Sequence, residues 1–387
     1  MPDGGERLTV RIVEELAQIP AAQWDACAGT ENPFVSHAFL QALEESRSAA
    51  RETGWLPQHL LLEDETGRLL GAVPMYLKSH SYGEYVFDHG WASSYERAGG
   101  RYYPKLQAAI PFTPATGPRL LLHPEAESDA ADYLIAGMIE VAQRRKVSSL
   151  HVTFPPREEW ERLGQHGFQQ RLGRQFHWEN DNYRDFDDFL EALNSRKRKQ
   201  IRRERRDALE GGLEIEMLSG ADLKPAHWDA FFRFYMSTSD RKWGSAYLTR
   251  EFFDLLHQRM ADKVLLVMTK KAGRYVAGAL NLIGRDTLFG RNWGCIGDFP
   301  FLHFEVCYYR AIDFAIARGL KRVEAGAQGQ HKIQRGYLPS PTYSAHWIRD
   351  PGFQRAVGDF CARERQAIEH EMDELEQELS PFKREVD

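Results

Sequence analysis

Apolar and polar residues alternate along Leu8-Thr9-Val10-Arg11-Ile12-Val13, the period of a strand with one buried face. Ala21–Ala28 predicts a short helix, and Ser36 is placed to cap a second one that carries Phe39, Leu40 and Leu43. The apolar runs His59–Glu63 and 69–76 flank a turn containing Gly67, which predicts a hairpin, with a third strand at Tyr85-Val86-Phe87. A helix over 128–145 sets Tyr133, Leu134, Met138 and Val141 on one side, and a strand over 149–154 follows.

The same order then returns. Leu213–Leu218 reads as a strand, 226–236 and Arg250–Met260 as helices, and 264–269, Arg274–Ile283 and 287–292 as a three-strand meander. A helix over 305–317 and a strand over 321–325 complete the second pass, and 357–379 predicts one more helix. Words recur in register too. Pro20 to Trp24 returns as Pro225 to Trp228, and Leu70-Gly71-Ala72-Val73 as Ala277-Gly278-Ala279-Leu280. Phe87 to Trp91 returns as Phe289 to Trp293, and Gly167-Phe168 with His177-Trp178 as Gly336-Tyr337 with His346-Trp347. Four echoes, roughly 170 to 205 positions apart, are too widely spaced for a solenoid and argue for two copies of one domain. The pattern is α+β, with the last helix of each copy crossing one face of its sheet.

Composition fits two domains in 387 residues, with 42% hydrophobic and 12% aromatic side chains to build their cores. The boundaries read as a domain over 1–182, a basic helical linker over 183–211, and a second domain with its C-terminal helix over 212–387. A net charge of -6 gives no general pull toward nucleic acid, so any basic site must be local. The start of the chain lacks a signal-peptide pattern, and no apolar run is long enough to span a bilayer, which points to a cytoplasmic protein. Cys27, Cys295, Cys307 and Cys361 are scattered and read as reduced thiols, with neither a disulfide framework nor a metal site.

Several words carry a family resemblance: Asn32-Pro33-Phe34, Tyr102-Tyr103-Pro104-Lys105-Leu106, Pro111-Phe112-Thr113-Pro114, and the basic run from Arg196 to Arg206. Later come Gly290-Arg291-Asn292-Trp293-Gly294, Phe304-Glu305, and Glu324 to Lys332, then Arg335-Gly336-Tyr337-Leu338-Pro339. Together they resemble the Fem-like predicted N-acyltransferases, often labelled peptidoglycan-biosynthesis proteins and related to the Fem-type aminoacyltransferases. The resemblance implies two tandem GNAT-like domains (the acyl-CoA N-acyltransferase fold) from an internal duplication. It also implies acyl transfer to an amine, with an acyl donor, aminoacyl-tRNA or acyl-CoA, and no certain resident cofactor. Acyl-CoA-dependent GNAT domains carry a glycine-rich loop before the crossover helix. Here that loop holds Asp298, Pro300 and aromatics, which counts against coenzyme A without settling the donor.

Acyl transfer needs a base for the ammonium proton, donors for a tetrahedral oxyanion, and a way to protonate the leaving group. Glu324, Gln328, His331, Lys332 and Arg335 crowd one glycine-rich stretch after a predicted strand. His331 or Glu324 could serve as base, Lys332 or Arg335 could neutralise developing charge, and Gln328 could bind substrate; a polar surface turn is the plain alternative. Glu305 opens the second crossover helix, where helix capping explains it as readily as catalysis does. Arg291 would complete the site. Tyr103, Lys105 and Arg119 lie in a proline-stiffened insertion that suits one wall of a substrate cleft, or simply a loop packed on the sheet. His89, His151 and the two His-Trp pairs read as structural.

The run Arg196 to Arg206 has eight cations and one acid in eleven residues. Arg198, Arg202 and Arg205 are the candidates for contact with a polyanion such as tRNA, a nucleotide-linked precursor or anionic lipid. Nearby Asp185, Asp187, Asp188, Glu191 and Asp207 could instead pair with them. Two further readings stay open: a non-catalytic polyanion-binding protein on the duplicated fold, and an acetyl-CoA-dependent acetyltransferase. A second-copy pocket plugged by Phe299, Phe301, Phe304 and Trp293 would favour the non-catalytic one.

Overall fold

The structure is a computed structural model that describes residues 8–242, 246–326 and 329–383, without the side chains of 239–242. The chain divides into two compact units. The first holds the described residues up to Gly173 together with Thr342–Ile368, and the second holds Arg174–Pro341 with the residues from Glu369 on.

The first unit runs β1 (Thr9–Val13), α1 (Ala21–Ala28), α2 (His37–Glu45), β2 (Trp55–Pro57), β3 (His59–Glu63), β4 (Leu69–Val73) and β5 (Met75–Lys78). It continues with α3 (His89–Arg97), β6 (Lys105–Ala108), β7 (Leu121–Leu122), α4 (Ala130–Arg144), β8 (Ser149–Thr153), α5 (Arg157–Gln165) and the start of β9 (Gln169–Glu179). Ser36 caps α2 as its sequence requires, its Oγ accepting from Phe39 N–H at 3.3 Å. The predicted strand over 69–76 is interrupted at Pro74, which cannot donate to a ladder. β4 pairs with β3 in a sheet ordered β1-β3-β4-β7, whereas β5 pairs with β2 and β6 in the other. Tyr85-Val86-Phe87 is a loop and not a strand, and β5 and β6 supply the strands expected there. α4 turns Leu134, Ile135 and Met138 onto Leu60, Val73 and Val152. Each such side chain contributes about 2 kcal/mol on burial. Tyr133 is 45% exposed, one step off the apolar stripe.

The second unit contains α6 (Phe186–Ala192), α7 (Ser195–Ala208), β10 (Leu213–Leu218), α8 (Pro225–Lys242), α9 (Arg250–Met260), β11 (Val264–Lys271), β12 (Arg274–Ile283) and β13 (Thr287–Cys295). The crossover helix is α10 (Leu302–Phe304) and α11 (Arg310–Ala317), joined by a wide π turn at Glu305–Tyr309. β14 (Arg322–Glu324) and a 3-10 turn at Gln330–Arg335 follow; β15 (Leu338–Ile348) and α12 (Pro351–Leu379) come next, and of these Thr342–Ile368 is counted with the first unit. The sheet order is β10-β11-β12-β13-β14-β9. Val306, Tyr309 and Ile312 on one side of the crossover and Leu265, Val267 and Val323 on the sheet build its core.

Three of the four echoes fall on equivalent elements. Trp24 and Trp228 lie in the first helices, Gly71 and Gly278 in the second hairpin strands, and His177-Trp178 and His346-Trp347 in the final strands. Gly167 and Gly336 both turn into those strands with positive φ, 84° and 90°, a conformation glycine adopts without strain. The fourth echo fails: Trp91 lies in α3 and Trp293 in β13, so these words are not equivalent.

The final strands also correct the domain boundaries. β9 pairs with β14 (His177 opposite Glu324), and β15 with β8 (His346 opposite His151), so the last strand of each sequence copy pairs with a strand from the other copy. The residues of the expected linker, 183–211, belong to the second unit, and Thr342–Ile368 belongs to the first. No helix among the described residues is long and apolar enough to cross a membrane.

Candidate active site

β13 and β14 run parallel from Thr287 opposite Arg322 to Phe289 opposite Glu324, and there the ladder stops. A pocket of about 420 Å³ lies where it ends, lined by Gly290 to Trp293 on one side and by Ala325 and Gly326 on the other. The fork demands close backbone approach. A Cβ on Gly290 would sit 3.2 Å from the Glu324 carbonyl oxygen and 3.5 Å from Ala325 Cα. A bulge in the β12–β13 pairing at Leu280/Asn281 falls beside it, and Asn281 also lines the pocket.

The remaining wall comes from two irregular segments. The π turn presents Cys307 and Tyr308, and such one-residue widenings recur at functional sites. Its shape is held by Tyr337, whose hydroxyl donates to the Tyr308 carbonyl at 3.0 Å. The 3-10 turn presents His331 and Lys332. Lys332 is buried, with Nζ donating to the carbonyls of Ala325 and Gly326 at 2.7 and 2.8 Å. Burial brings its pKa down to about 8, so it can shed a proton near neutrality. His331 Nε2 lies 3.0 Å from the Tyr308 hydroxyl. Burial first, then the positive charges of Arg335 and Lys332, lower its pKa, which leaves the imidazole neutral and able to accept a proton at pH 7. Arg291 and His303 add to the wall, and no carboxylate is among its described lining residues.

The other sequence candidates sit elsewhere. Glu305 is fully buried and accepts from Arg205 Nε and Nη2, both at 3.1 Å, with Arg310 Nε at 2.8 Å. Burial raises its pKa and the two arginines oppose the rise. It is therefore a neutralised structural anion outside the pocket, and its charge offers no barrier to a bound diphosphate. Glu324 ends β14 behind the fork. Arg335 is buried against Glu204 and lies 3.4 Å over the Phe304 ring, so it braces the 3-10 turn and does not line the pocket. Gln328 lies outside the described residues.

In the first unit, Lys105 is fully buried, its Nζ held by Ser81, Glu84 and Asp88. Arg119 is fully buried too, donating to the carbonyls of Ala115, Gly117, Pro118 and Thr153. Both are structural because their donors are spent on protein oxygens. Tyr103 is half-buried, with its hydroxyl 2.8 Å from Ser81 Oγ.

On α7, Arg205 is taken up by Glu305 and Asp313 and faces inward. Arg198 is half-buried, and Arg202 is exposed and paired with Asp187. Arg196, Lys199, Arg203 and Arg206 are exposed at helical spacing as well, with Arg203 and Arg206 both paired to Asp207. The inward side is set by Ile201, Glu204 and Ala208. Phe299, Phe301 and Phe304 do not line the pocket, and Trp293 forms part of its wall, so the aromatic plug is not there. Asn281, His303, Cys307 and Tyr308 were missed by sequence reading. A π turn leaves no signature in the periodicity; Tyr308 is visible in sequence one turn after Glu305, but nothing there assigns it to a pocket wall.

The comparisons agree with this architecture. A solved C-terminal domain of a putative lysylphosphatidylglycerol synthetase from Agrobacterium fabrum superposes with a TM-score of 0.55 at 10% identity, covering 90% of this chain and 95% of that one. A crystal structure of FemX gives 0.52 at 11% identity, covering 88% and 98%. L-PGS from Bacillus licheniformis gives 0.51 at 9% identity, covering 86% and 98%. At such identities the likeness concerns fold alone. No curated protein matches the sequence significantly. The protein has an α+β fold in which one order of elements occurs twice. Residues 15–384 match the FemAB-like model, described as peptidoglycan biosynthesis/recognition, and the chain belongs to that family.

Proposed function

We propose that the pocket at the β13–β14 fork transfers an acyl group from an activated carrier to an amine. The observation that carries the reading is the convergence of His331, Lys332, Arg291 and Tyr308 on one open polar pocket. In the reaction the amine nitrogen forms a bond to the acyl carbon, and the carrier's ester or thioester bond breaks. Neutral His331 takes the ammonium proton, and the Lys332 ammonium and Arg291 guanidinium stabilise the oxyanion. His331 then returns the proton to the departing oxygen or sulfur.

The carrier in this proposal is an aminoacyl-tRNA or an acyl-CoA, and the acceptor an amine on a cell-wall precursor, in keeping with the family description. The outward cations of α7 favour a donor with a phosphate backbone. The loop 294–304, poor in glycine, favours the same side, whereas Glu305 no longer argues against coenzyme A. The open pocket speaks against a purely binding role. Thermal unfolding with deacylated tRNA and with coenzyme A tests the donor class. The carrier that binds should raise the Tm of the folded chain by mass action, and the other should not. If neither moves the Tm at millimolar coenzyme A and micromolar tRNA, both donor readings fail.

A further inference from the structure

From the end of β5 to the first residue of α3 the first unit carries a row of four aromatic rings, three of them exposed and His80 half-buried. His80 lies 5.1 Å from Tyr82, Tyr82 5.9 Å from His89, and His89 6.3 Å from Phe87, centroid to centroid. Tyr82 is 61% exposed and Phe87 56% exposed, an unusual outlay of apolar surface on one short loop. The loop is nonetheless fixed from beneath. Lys105 Nζ donates to Ser81 Oγ at 2.8 Å and to Glu84 at 2.7 Å, and it also pairs with Asp88. Lys78 Nζ, set over the Trp55 ring at 3.6 Å, reaches the Tyr82 carbonyl at 3.3 Å. Arg171 donates to the Phe87 carbonyl at 2.8 Å while its other nitrogens grip Glu364. The His80 ring is locked as well. The Tyr82 N–H donates to its Nδ1 at 3.1 Å, so its Nε2–H donates to the Thr53 carbonyl at 3.1 Å. Inward residues anchor the segment, and outward residues carry the rings.

We propose that this row is a binding platform for a neutral oligosaccharide, whose pyranose rings lie across the aromatic faces. A rigid platform loses little entropy on binding, which is the benefit the buried cage provides. The Tyr82 phenol and the His89 imidazole offer hydrogen bonds to sugar hydroxyls. Successive rings are tilted by 58°, 51° and 29°, which suits a twisting chain of sugars better than a stack of parallel bases. Charge points the same way. Of the cations held against the loop, Lys78 and Lys105 are buried and Arg171 is part-buried, and all three are committed to protein partners, so a phosphate backbone finds none of them free. The platform lies in the first unit, and it stands or falls independently of the acyl-transfer pocket in the second.

The test is calorimetric titration of the full chain with N-acetylglucosamine hexamer, with a single-stranded DNA hexamer, and with phosphatidylcholine vesicles. The hexasaccharide should bind saturably and the other two should not. Tyr82→Ala and Phe87→Ala should each weaken binding roughly tenfold, the scale of one stacked ring. Tm should stay unchanged, since both side chains are exposed. Tyr82→Phe should retain most of the affinity. Preferential binding of DNA or vesicles, no saturable sugar binding, or undiminished binding in the Tyr82→Ala, Phe87→Ala double variant would overturn the proposal.

Discussion

Glu204 on α7 accepts two hydrogen bonds from the Arg335 guanidinium, Nη2 to Oε1 at 2.9 Å and Nε to Oε2 at 3.2 Å. The pair is almost dry, with side chains 5% and 6% exposed. It ties the basic helix to the turn that presents His331 and Lys332, so helix and pocket are mechanically one piece within the second unit.

Glu204→Ala would strand the Arg335 guanidinium without its carboxylate. The expected cost is about 3 kcal/mol, at the low end for breaking a buried pair, because the guanidinium also donates to the His331 carbonyl at 2.7 Å. Urea unfolding measures it. Arg335→Met with Glu204→Leu, which removes both charges, should recover most of the loss. A Glu204→Ala change within 0.5 kcal/mol of the parent, about the scatter of surface substitutions, would show the pair to be unimportant.

The second prediction concerns acid. His151 and His346 face each other with Nδ1 atoms 2.7 Å apart, a contact that needs one donor and one acceptor and so excludes two imidazolium ions. Burial lowers both pKa values, that of His151 to about 3, with Lys105 and Arg171 reinforcing the effect and Asp88 opposing it. The unfolded chain binds protons at both rings near pH 6.5, where the folded chain does not. Stability from the pair is therefore complete above about pH 6.5 and is lost as pH falls toward 3, by up to about 1.4 kcal/mol per pH unit for each ring. Unfolding free energies measured from pH 7.5 to 5 should show this slope. Replacing both rings with Gln should reduce it, leaving the share of buried His177, whose pKa burial also lowers to about 3.

The third prediction concerns the exposed cations on α7. Arg196→Ala, Lys199→Ala and Arg203→Ala together should weaken tRNA binding and reduce the slope of log K against log salt by about 2 to 3, one unit per lost phosphate contact. Arg205→Ala should destabilise the fold instead, because it uncovers buried Glu305. Filter binding at several salt concentrations separates the two. An unchanged slope in the triple variant would reduce the stripe to a solvated helix face.

Much of this was legible in the sequence, for physical reasons that differ by element. Strand alternation and helical period located β1, α2, α4, β11 to β13 and the crossover helix, because burial of one face leaves that imprint. The α7 run declared its charge but not its phase. Ile201, Glu204 and Ala208, which set the inward face, were in plain view, yet a buried glutamate reads as polar unless its partner 131 residues away is known. Arg119 and Lys105 misled for a related reason. An arginine that satisfies four backbone carbonyls, or a lysine caged by two acids, looks in sequence like a surface cation waiting for substrate. The strand exchange is invisible in periodicity, since β9 and β15 have the same pattern whichever neighbour they pair with.

The account rests most on the pocket at the fork. The direct measurement is amide formation by the purified chain, using 14C-labelled aminoacyl-tRNA and 14C-acetyl-CoA in turn, with nucleotide-linked muramyl pentapeptide as acceptor, in the parent, His331→Ala and Lys332→Met. The parent should form an acid-stable labelled product, and each variant should lose about a hundredfold in kcat, with little change in Tm for His331→Ala and a lower Tm for Lys332→Met, which leaves the Ala325 and Gly326 carbonyls without their donor. The parent's rate should fall below the lowered pKa of His331, where the base is protonated, and again above about 8, where Lys332 loses its charge. Parental rates in the His331→Ala, Lys332→Met double variant, or no labelled amide from either donor, would contradict the assignment.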